Sequence, residues 1–368
     1  MSIPYATAVP VGKSSSEAAP FDPFSMPARR DSKYEQFVGG IDGNKDYSRL
    51  HDFLNQHQWP RGLQEHLIKG FQRTPIRFMI IDDSGSMSYS DGNKIVGSGA
   101  SSKLVTCTRW SELSTSMTFH AELAEAADAK TEFRLLNMAA PIMLGLGTDN
   151  DGVNLRQLKG YFNNGPGGGT PLCRHIREVT QEIQEIADSL RANGQKAVII
   201  IATDGQSSDG DVLTAMRPLQ ALPVWVVIRL CTDEDEVVNY WNSVDGQLEL
   251  DIDVLDDFCA EASEVHENNK WLTYGLPLQR FREFGTTLKE IDLLDESRLT
   301  SEQIRNMMPV ILGGSRDSYP HPEANYDEFV RRVQEKLDNE LQTWCPLKKR
   351  MMPWVRINRL QTGKCTVM

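Results

Sequence analysis

One stretch of the chain places an acid and two hydroxyls where a buried strand would end. Residues 77–87 read Arg-Phe-Met-Ile-Ile-Asp-Asp-Ser-Gly-Ser-Met, so a short apolar run stops at Asp82 and is followed by Ser84 and Ser86. The apolar run is typical of a strand in the middle of a parallel sheet, where both faces are covered. Functional groups of such sheets cluster at the carboxyl ends of the strands. A carboxylate with two neutral hydroxyls suits a hard cation such as Mg²⁺, which favours octahedral oxygen coordination.

Two later stretches add further oxygen ligands of the same kind. The Gly-rich residues 165–169 precede the hydroxyl of Thr170, just before a predicted helix. The apolar run 197–202 predicts a second buried strand, and it ends in Thr-Asp-Gly with the acid at Asp204. We expect this acid to lie at the same edge of the sheet as the first stretch.

Together, the three stretches closely resemble the metal-ion-dependent adhesion site of von Willebrand factor A-type (VWA) domains, with every motif position filled. The similarity covers roughly half of the chain, from the region of residue 75 to that of residue 268. The resemblance implies that Mg²⁺ or Mn²⁺ is held by Asp82, Ser84, Ser86, Thr170 and Asp204. In the family the hydroxyls contact the metal, the threonine sometimes through water, and the acids act directly or through water. One coordination position stays open for an Asp or Glu of a partner protein.

Each stretch alone is a common pattern, and their combination carries the interpretation. Asp-x-Ser-x-Ser is frequent in Ser-rich loops, and a Gly-rich turn before Thr-Pro is also frequent. All three occur in order, and two of them follow predicted buried strands. A phosphate-binding loop at residues 167–170 is excluded because no Gly-Lys-Ser/Thr sequence follows.

Hydrophobic periodicity predicts an α/β fold with a doubly wound, mostly parallel sheet and helical N- and C-terminal extensions. The resemblance implies that this sheet is VWA- or Rossmann-like. The clearest helix covers residues 172–190, with apolar side chains at steps of three and four. Residues 88–103, rich in Ser and Gly, are predicted to be a mobile loop, and 281–294 one helix. The predicted segments are a disordered segment (1–32), a helical hairpin (33–74), a VWA domain (75–270), a helical extension (271–345) and a basic tail (346–368).

Composition narrows the functional class. The formal net charge of −12 argues against general nucleic-acid binding. No apolar run approaches the ~18 residues that a membrane-spanning helix needs, and the first residues lack the pattern of a signal peptide. The six cysteines are scattered without metal-binding spacing, which is typical of buried thiols in a reducing compartment. We therefore expect an intracellular protein.

The last 23 residues differ in character from the rest of the chain. They contain no acid and six basic residues: Lys348, Lys349, Arg350, Arg356, Arg359 and Lys364. The chain ends Cys365-Thr-Val-Met, a Cys-a-a-X box of the form associated with farnesylation of the cysteine. A single lipid binds a membrane only marginally, and a basic cluster strengthens it on an anionic surface. The tail predicts peripheral attachment to the cytoplasmic face of a membrane, with Met351, Met352 and Trp354 settling among the headgroups.

Three functions fit these features. The first is a binding module that captures a partner's acidic side chain through Mg²⁺. The second is a metal-dependent phosphohydrolase with Asp82 or Asp83 as nucleophile, although no Lys, Arg or His motif accompanies the pair. The third is a regulatory subunit that works with a separate ATPase or ligase, since the sequence contains neither an ATPase motif nor a RING-like Cys/His pattern.

Overall fold

A computed structural model describes residues 32–40, 45–147 and 152–360 of the chain. The predicted disordered segment, apart from its last residue, and the Cys-a-a-X box with Cys365 and Lys364 lie outside these ranges. Within them the strands are β1 (Arg77–Ile81), β2 (Gly92–Val96), β3 (Lys103–Cys107), β4 (Thr131–Leu135), β5 (Ile142–Leu144), β6 (Ala197–Thr203), β7 (Val224–Leu230), β8 (Ile252–Leu255), β9 (Thr343–Cys345) and β10 (Arg350–Met352).

Helices separate most of these strands. In the described ranges they are α1 (Ser48–Gln56), α2 (Arg61–Arg73), α3 (Arg109–Ala127), α4 (Val153–Asn163), α5 (Leu172–Ala192), α6 (Val212–Met216), α7 (Asp235–Gln247), α8 (Phe258–Asn268), α9 (Leu276–Glu283), α10 (Lys289–Glu296), α11 (Ser301–Leu312) and α12 (Tyr326–Leu337). Among the residues that the structure describes, no helix combines the length and apolarity needed to cross a bilayer.

A six-stranded sheet of order β5-β4-β1-β6-β7-β8 forms the centre of the molecule. Its strands are parallel except for β5, which pairs antiparallel with β4 at one edge. The predicted α/β class with a mostly parallel sheet is confirmed. The chain continues from β1 toward one side of the sheet through β4, and toward the other side through β6. Side chains beyond the carboxyl ends of β1 and β6 therefore meet in the crevice where ligands of such sheets bind.

Both faces of β1 and β6 are covered, which explains why most of their residues are apolar. Phe78 and Ile80 belong to one hydrophobic cluster with the apolar stripe of α5. Met79 and Ile81, which point the opposite way, belong to a second cluster with side chains of α3. Every residue of β1 is buried. A strand in this position cannot show the polar alternation of a half-exposed strand.

The segments before and after the sheet share the second cluster. Helix α2 packs against α11, where the backbones approach so closely that a Cβ on Gly62 would lie 2.5 Å from the carbonyl carbon of Ile311. Arg77 of β1 donates a 3.0 Å hydrogen bond to the carbonyl of Phe284, which follows α9. Residues 276–312 therefore pack into the same core as the sheet.

Several predicted elements differ from the structure. Residues 92–107 form the antiparallel hairpin β2–β3 and not a mobile loop, because Ile95 and Leu104 pack on the core from paired strands. The predicted helix 281–294 is two helices, since the chain turns at Gly285 with a φ of +84°. A Cβ at that position would lie 2.3 Å from Val198, so only glycine fits.

The basic tail is also more ordered than its composition suggests. Strands β9 and β10 form a hairpin, and Trp354 is 1% exposed, so the prediction that this side chain settles among headgroups is wrong. Arg356 is partly buried and contacts His266 at 2.9 Å. The other described basic residues of the tail are exposed: Lys348, Lys349, Arg350 and Arg359.

The close approach of α2 and α11 yields a prediction with an internal control. We expect Gly62→Ala to lower the free energy of unfolding by about 1–3 kcal/mol, because its methyl group overlaps the backbone of α11. Gly70→Ala lies in the same helix with no atom within 4 Å of the new Cβ, so it should stabilise by up to about 1 kcal/mol. Urea unfolding of both variants measures the difference. Equal effects would show that the two helices do not touch as described.

Candidate metal centre

The register of two parallel strands brings the first and third stretches together. Ile81 of β1 pairs with Ala202 of β6, so the residues that follow each strand emerge side by side. The N–H of Asp82 donates a 2.9 Å hydrogen bond to the carbonyl of Ala202, which continues the ladder by one residue. Asp82 and Asp204 are both buried at this edge.

The side chain of Asp82 is fixed by the loop that follows β1 and by the last residue of β6. Its Oδ1 accepts a 2.9 Å hydrogen bond from the N–H of Ser84. Its Oδ2 accepts a 2.7 Å hydrogen bond from the hydroxyl of Thr203. A buried carboxylate with both oxygens occupied in this way holds one orientation, so it can position a ligand or a water without reorganisation.

Three further side chains form a continuous hydrogen-bonded chain beside it. The hydroxyls of Ser84 and Ser86 lie 3.1 Å apart. The Ser86 hydroxyl donates a 2.9 Å hydrogen bond to Oδ1 of Asp204. Four of the five predicted ligands thus form one group of oxygen atoms, two of them carboxylates and two of them hydroxyls.

Thr170 reaches this edge on the glycine-rich loop. The loop is joined to the first stretch by two backbone hydrogen bonds, from Gly167 to the carbonyl of Asp83 (2.7 Å) and from Gly85 to the carbonyl of Gly168 (3.2 Å). The backbone N–H of Thr170 donates to the hydroxyl of Ser208, in the loop after β6, at 3.1 Å. The structure therefore brings the three predicted stretches together.

Asn137, which the sequence analysis did not single out, connects two of these loops. Its side-chain amide donates to Oδ1 of Asp83 at 2.8 Å and to the carbonyl of Gly169 at 2.9 Å, and its backbone N–H also bonds Asp83 at 2.9 Å. A Cβ on Gly168, whose φ is +96°, would lie 2.4 Å from the Asn137 amide oxygen. In the sequence, the signal that could have identified Asn137 was its position just after β4. The carboxylate of Asp83 is held by these bonds, which disfavours it as a nucleophile.

Electrostatics at the site favour a cation. Burial and the nearby charge of Asp82 raise the pKa of Asp204 above its ordinary value. Two carboxylates that share a buried site repel each other, and a divalent ion removes that repulsion. The oxygen-only donor set matches Mg²⁺ or Mn²⁺ better than Zn²⁺, which binds Cys and His more often.

Arg109, which was not singled out from the sequence, brings a cation to Asp204. This buried residue begins α3, and its Nη1 lies 3.1 Å from Oδ2 of Asp204. Its other nitrogens bond Asp91 (2.8 Å from Nε) and Glu234. A cation at a helix N-terminus opposes the helix dipole, and the three carboxylates offset that cost. With these partners, its guanidinium has little capacity left to bind a phosphoryl group.

A second acidic group lies around Arg282, away from the three loops. Three of its carboxylates, those of Glu261, Glu264 and Asp295, are close enough to bracket a metal ion. Arg282 supplies a counter-charge within the group, 2.9 Å from Asp253 and 3.2 Å from Asp295. Burial raises the pKa of Glu264 to about 7, so part of the group is protonated near neutral pH. The charge of Arg282 and the bound protons therefore offset the negative charge of this cluster without a metal ion.

No model of a protein family matches this chain, and no curated protein sequence matches it either. The assignment of the site depends on its residues and their geometry.

The acidic group around Arg282 predicts a pH effect. Burial and then the charges of Asp253 and Glu296 raise the pKa of Asp292 to about 7. Because the folded state binds this proton more tightly than the unfolded state does, Asp292 stabilises the fold below its ordinary pKa and loses that contribution as the pH rises through about 7. We expect Asp292→Asn to gain stability relative to the unchanged chain between about pH 4.5 and about pH 8.

Urea unfolding across this pH range measures the effect. The exposed Asp317→Asn controls for the loss of one negative charge. A stability difference for Asp292→Asn that stays constant with pH would contradict the assignment.

Proposed function

We propose that this chain is a metal-dependent protein-binding module that captures an Asp or Glu side chain of a partner protein. The ion would be Mg²⁺ or Mn²⁺, held by Asp82, Ser84, Ser86, Thr170 and Asp204. The observation that carries the proposal is the hydrogen-bonded group of four oxygen-bearing side chains at the carboxyl ends of β1 and β6. The resemblance of the three stretches to the VWA adhesion site supports it.

The finer fold assignment belongs to the same proposal. We infer that the sheet is doubly wound and of the VWA class. The strand order on the two sides of β1 supports this arrangement, as do the hydrophobic clusters on the two faces of the sheet. The inference matters for function because that class binds its ligands at this edge of the sheet.

Each residue of the proposed site has its own role. The bound ion would supply positive charge and one coordination position for a carboxylate from outside. Asp82 is oriented by Ser84 and Thr203, so it orders the first loop. Arg109 shares the negative charge of Asp204, which leaves more of the ion's charge for a partner. Asn137 holds the glycine-rich loop that carries Thr170.

We further propose that the tail tethers the chain to a membrane. Farnesylation of Cys365 would act together with exposed basic side chains of the tail on an anionic, cytoplasmic membrane surface. The exposure of Lys348, Lys349 and Arg350 supports it. Arg356 contributes less, because its guanidinium contacts His266.

Asp82→Asn separates metal binding from folding. The amide keeps the shape of the side chain: its oxygen can still accept from Ser84, and its nitrogen can donate to the hydroxyl of Thr203. In EDTA we expect this variant to be at least as stable as the unchanged chain, because one of two repelling carboxylates is gone. At a Mg²⁺ concentration of about 100 times Kd, only the unchanged chain should gain about 2.7 kcal/mol.

A pull-down from a detergent-solubilised extract then tests the function. We expect one partner to be retained by the unchanged chain in Mg²⁺, and lost in EDTA and with Asp82→Asn. Asp83→Asn is the matched control, since Asp83 is not a proposed ligand and should retain the partner. Equal recovery in every condition would overturn metal-dependent capture. Metal-dependent hydrolysis of a phosphate ester that Asp83→Asn abolishes would favour the enzyme instead.

The tether has its own test. The farnesylated chain should sediment with phosphatidylcholine–phosphatidylserine vesicles, and Cys365→Ser should stay in the supernatant. Cys107→Ser is the control, because it removes a thiol outside the Cys-a-a-X box. Unchanged sedimentation of Cys365→Ser would contradict the proposed anchor.

A further inference from the structure

A cavity of about 450 Å³ is lined by residues other than the five proposed metal ligands. Its walls come from the turn between α1 and α2, the tip of the β2–β3 hairpin, the middle of α3, the start of α9 and strand β9. The volume is within the range of roughly 300–1,000 Å³ that small-molecule sites occupy.

Aromatic side chains form much of the wall. Trp59 and Phe119 lie nearly parallel, with ring centroids 6.1 Å apart. His57 meets Phe119 edge-on at 4.8 Å, and Trp344 lines the same space. A flat, largely apolar body can pack against such a wall, because aromatic rings gain from stacked and edge-on contacts.

One buried cation, Arg280, lines this cavity, and only part of its guanidinium is engaged in a hydrogen bond. Arg280 is 8% exposed, and its guanidinium lies 4.4 Å from the ring centroid of Phe119. Its Nη1 donates a 3.1 Å hydrogen bond to the carbonyl of Ser116. Within the described part of the chain, its Nε and Nη2 have no hydrogen-bond partner, and the guanidinium forms no salt bridge with a carboxylate.

Arg280 differs in its partners from the other buried arginines of the described residues. Arg109, Arg134, Arg229 and Arg282 each pair with carboxylates. Arg77 uses all three of its nitrogens on Thr74 and on the carbonyl of Phe284. Burial lowers the pKa of Arg280 only to about 10, so it is charged at neutral pH. The carboxylates of Glu283 and Glu122 favour this charge from a distance, but no carboxylate of the described residues forms a salt bridge with it. Such a buried charge is costly, and an anionic ligand lowers that cost.

The remaining polar wall limits the ligand to one negative charge. Glu122 also lines the cavity, and Lys159 neutralises it at 2.6 Å. Among the described residues that line the cavity, Arg280 is the one lysine or arginine, so the charge of a monoanion is matched and that of a dianion is not.

The backbone at the cavity is also unusual. Gln58, in the turn between α1 and α2, has a φ of +57°, which non-glycine residues seldom adopt. Residues held in this region cluster at ligand clamps. The tip of the hairpin approaches the same side chain, since a Cβ on Gly99 would lie 3.3 Å from Nε2 of Gln58.

We propose that this cavity binds a small aromatic carboxylate, with the carboxylate on Nε and Nη2 of Arg280 and the ring against Trp59, Phe119 and Trp344. This is a second binding site, separate from the metal centre and independent of the function proposed for it.

Fluorine NMR of the full chain in EDTA tests the site with two matched probes, 4-fluorophenylacetate and the neutral 4-fluorophenylacetamide. We expect the carboxylate to bind at least about tenfold more tightly than the amide, because only it pairs with Arg280. Arg280→Met keeps the apolar stem on Phe119 and removes the charge. It should abolish the preference and leave binding of the amide unchanged.

A second variant decides the matter if Arg280→Met fails to fold. Thr118→Phe places a ring in the cavity from the same wall and keeps Arg280, so both probes should be lost. Equal binding of the two probes to the unchanged chain would overturn the proposal. A preference for the carboxylate that survives Arg280→Met, or binding of either probe to folded Thr118→Phe, would overturn it as well. Tighter binding of 4-fluorophenyl phosphate than of the carboxylate would also contradict it. Because the assay contains no Mg²⁺, its outcome does not depend on the metal centre.

Discussion

The parallel pairing of β1 with β6 forces two buried carboxylates to the same place. The strands end side by side, so Asp82 and Asp204 must face one another across a few hydrogen-bonded side chains. Burial, and then the repulsion between the two carboxylates, raises the pKa of Asp204. The surrounding side chains offset this repulsion. Thr203 and Ser86 donate hydrogen bonds to the carboxylates, and Arg109 brings a buried positive charge.

A second buried network connects this region to the segment beyond the sheet. Glu112 of α3 accepts from the backbone of Asn93 in the β2–β3 hairpin at 2.8 Å and pairs with Arg229 of β7. Glu283 of α9 contacts Arg229 and accepts from His120 at 2.9 Å. Although burial opposes its charge, these partners hold the pKa of Glu283 well below its usual range. Such networks add little net stability, but they fix how elements dock. Here they fix the positions of α9 and of the β2–β3 hairpin, both of which also line the cavity beside Arg280.

Local patterns predicted the elements that carry the candidate metal centre, because the signals are local. The apolar run of β1, the stripe of α5 and the acids after β1 and β6 can be read from neighbouring residues. The hairpin β2–β3 and the break at Gly285 could not, since they depend on contacts with the core and with Val198. Arg109, Asn137 and Arg280 were missed for the same reason: their partners lie far along the chain, and nothing in the adjacent sequence identifies them.

The most direct measurement of the central claim is anomalous diffraction from crystals of the full chain soaked in Mn²⁺. We expect one dominant peak among the side chains of Asp82, Ser84, Ser86, Thr170 and Asp204, at oxygen distances of roughly 2.0–2.2 Å. Asp82→Asn crystals should lack that peak. A dominant peak among Glu261, Glu264 and Asp295, or no peak at the loops after β1 and β6 when Mn²⁺ is in excess, would contradict the central claim.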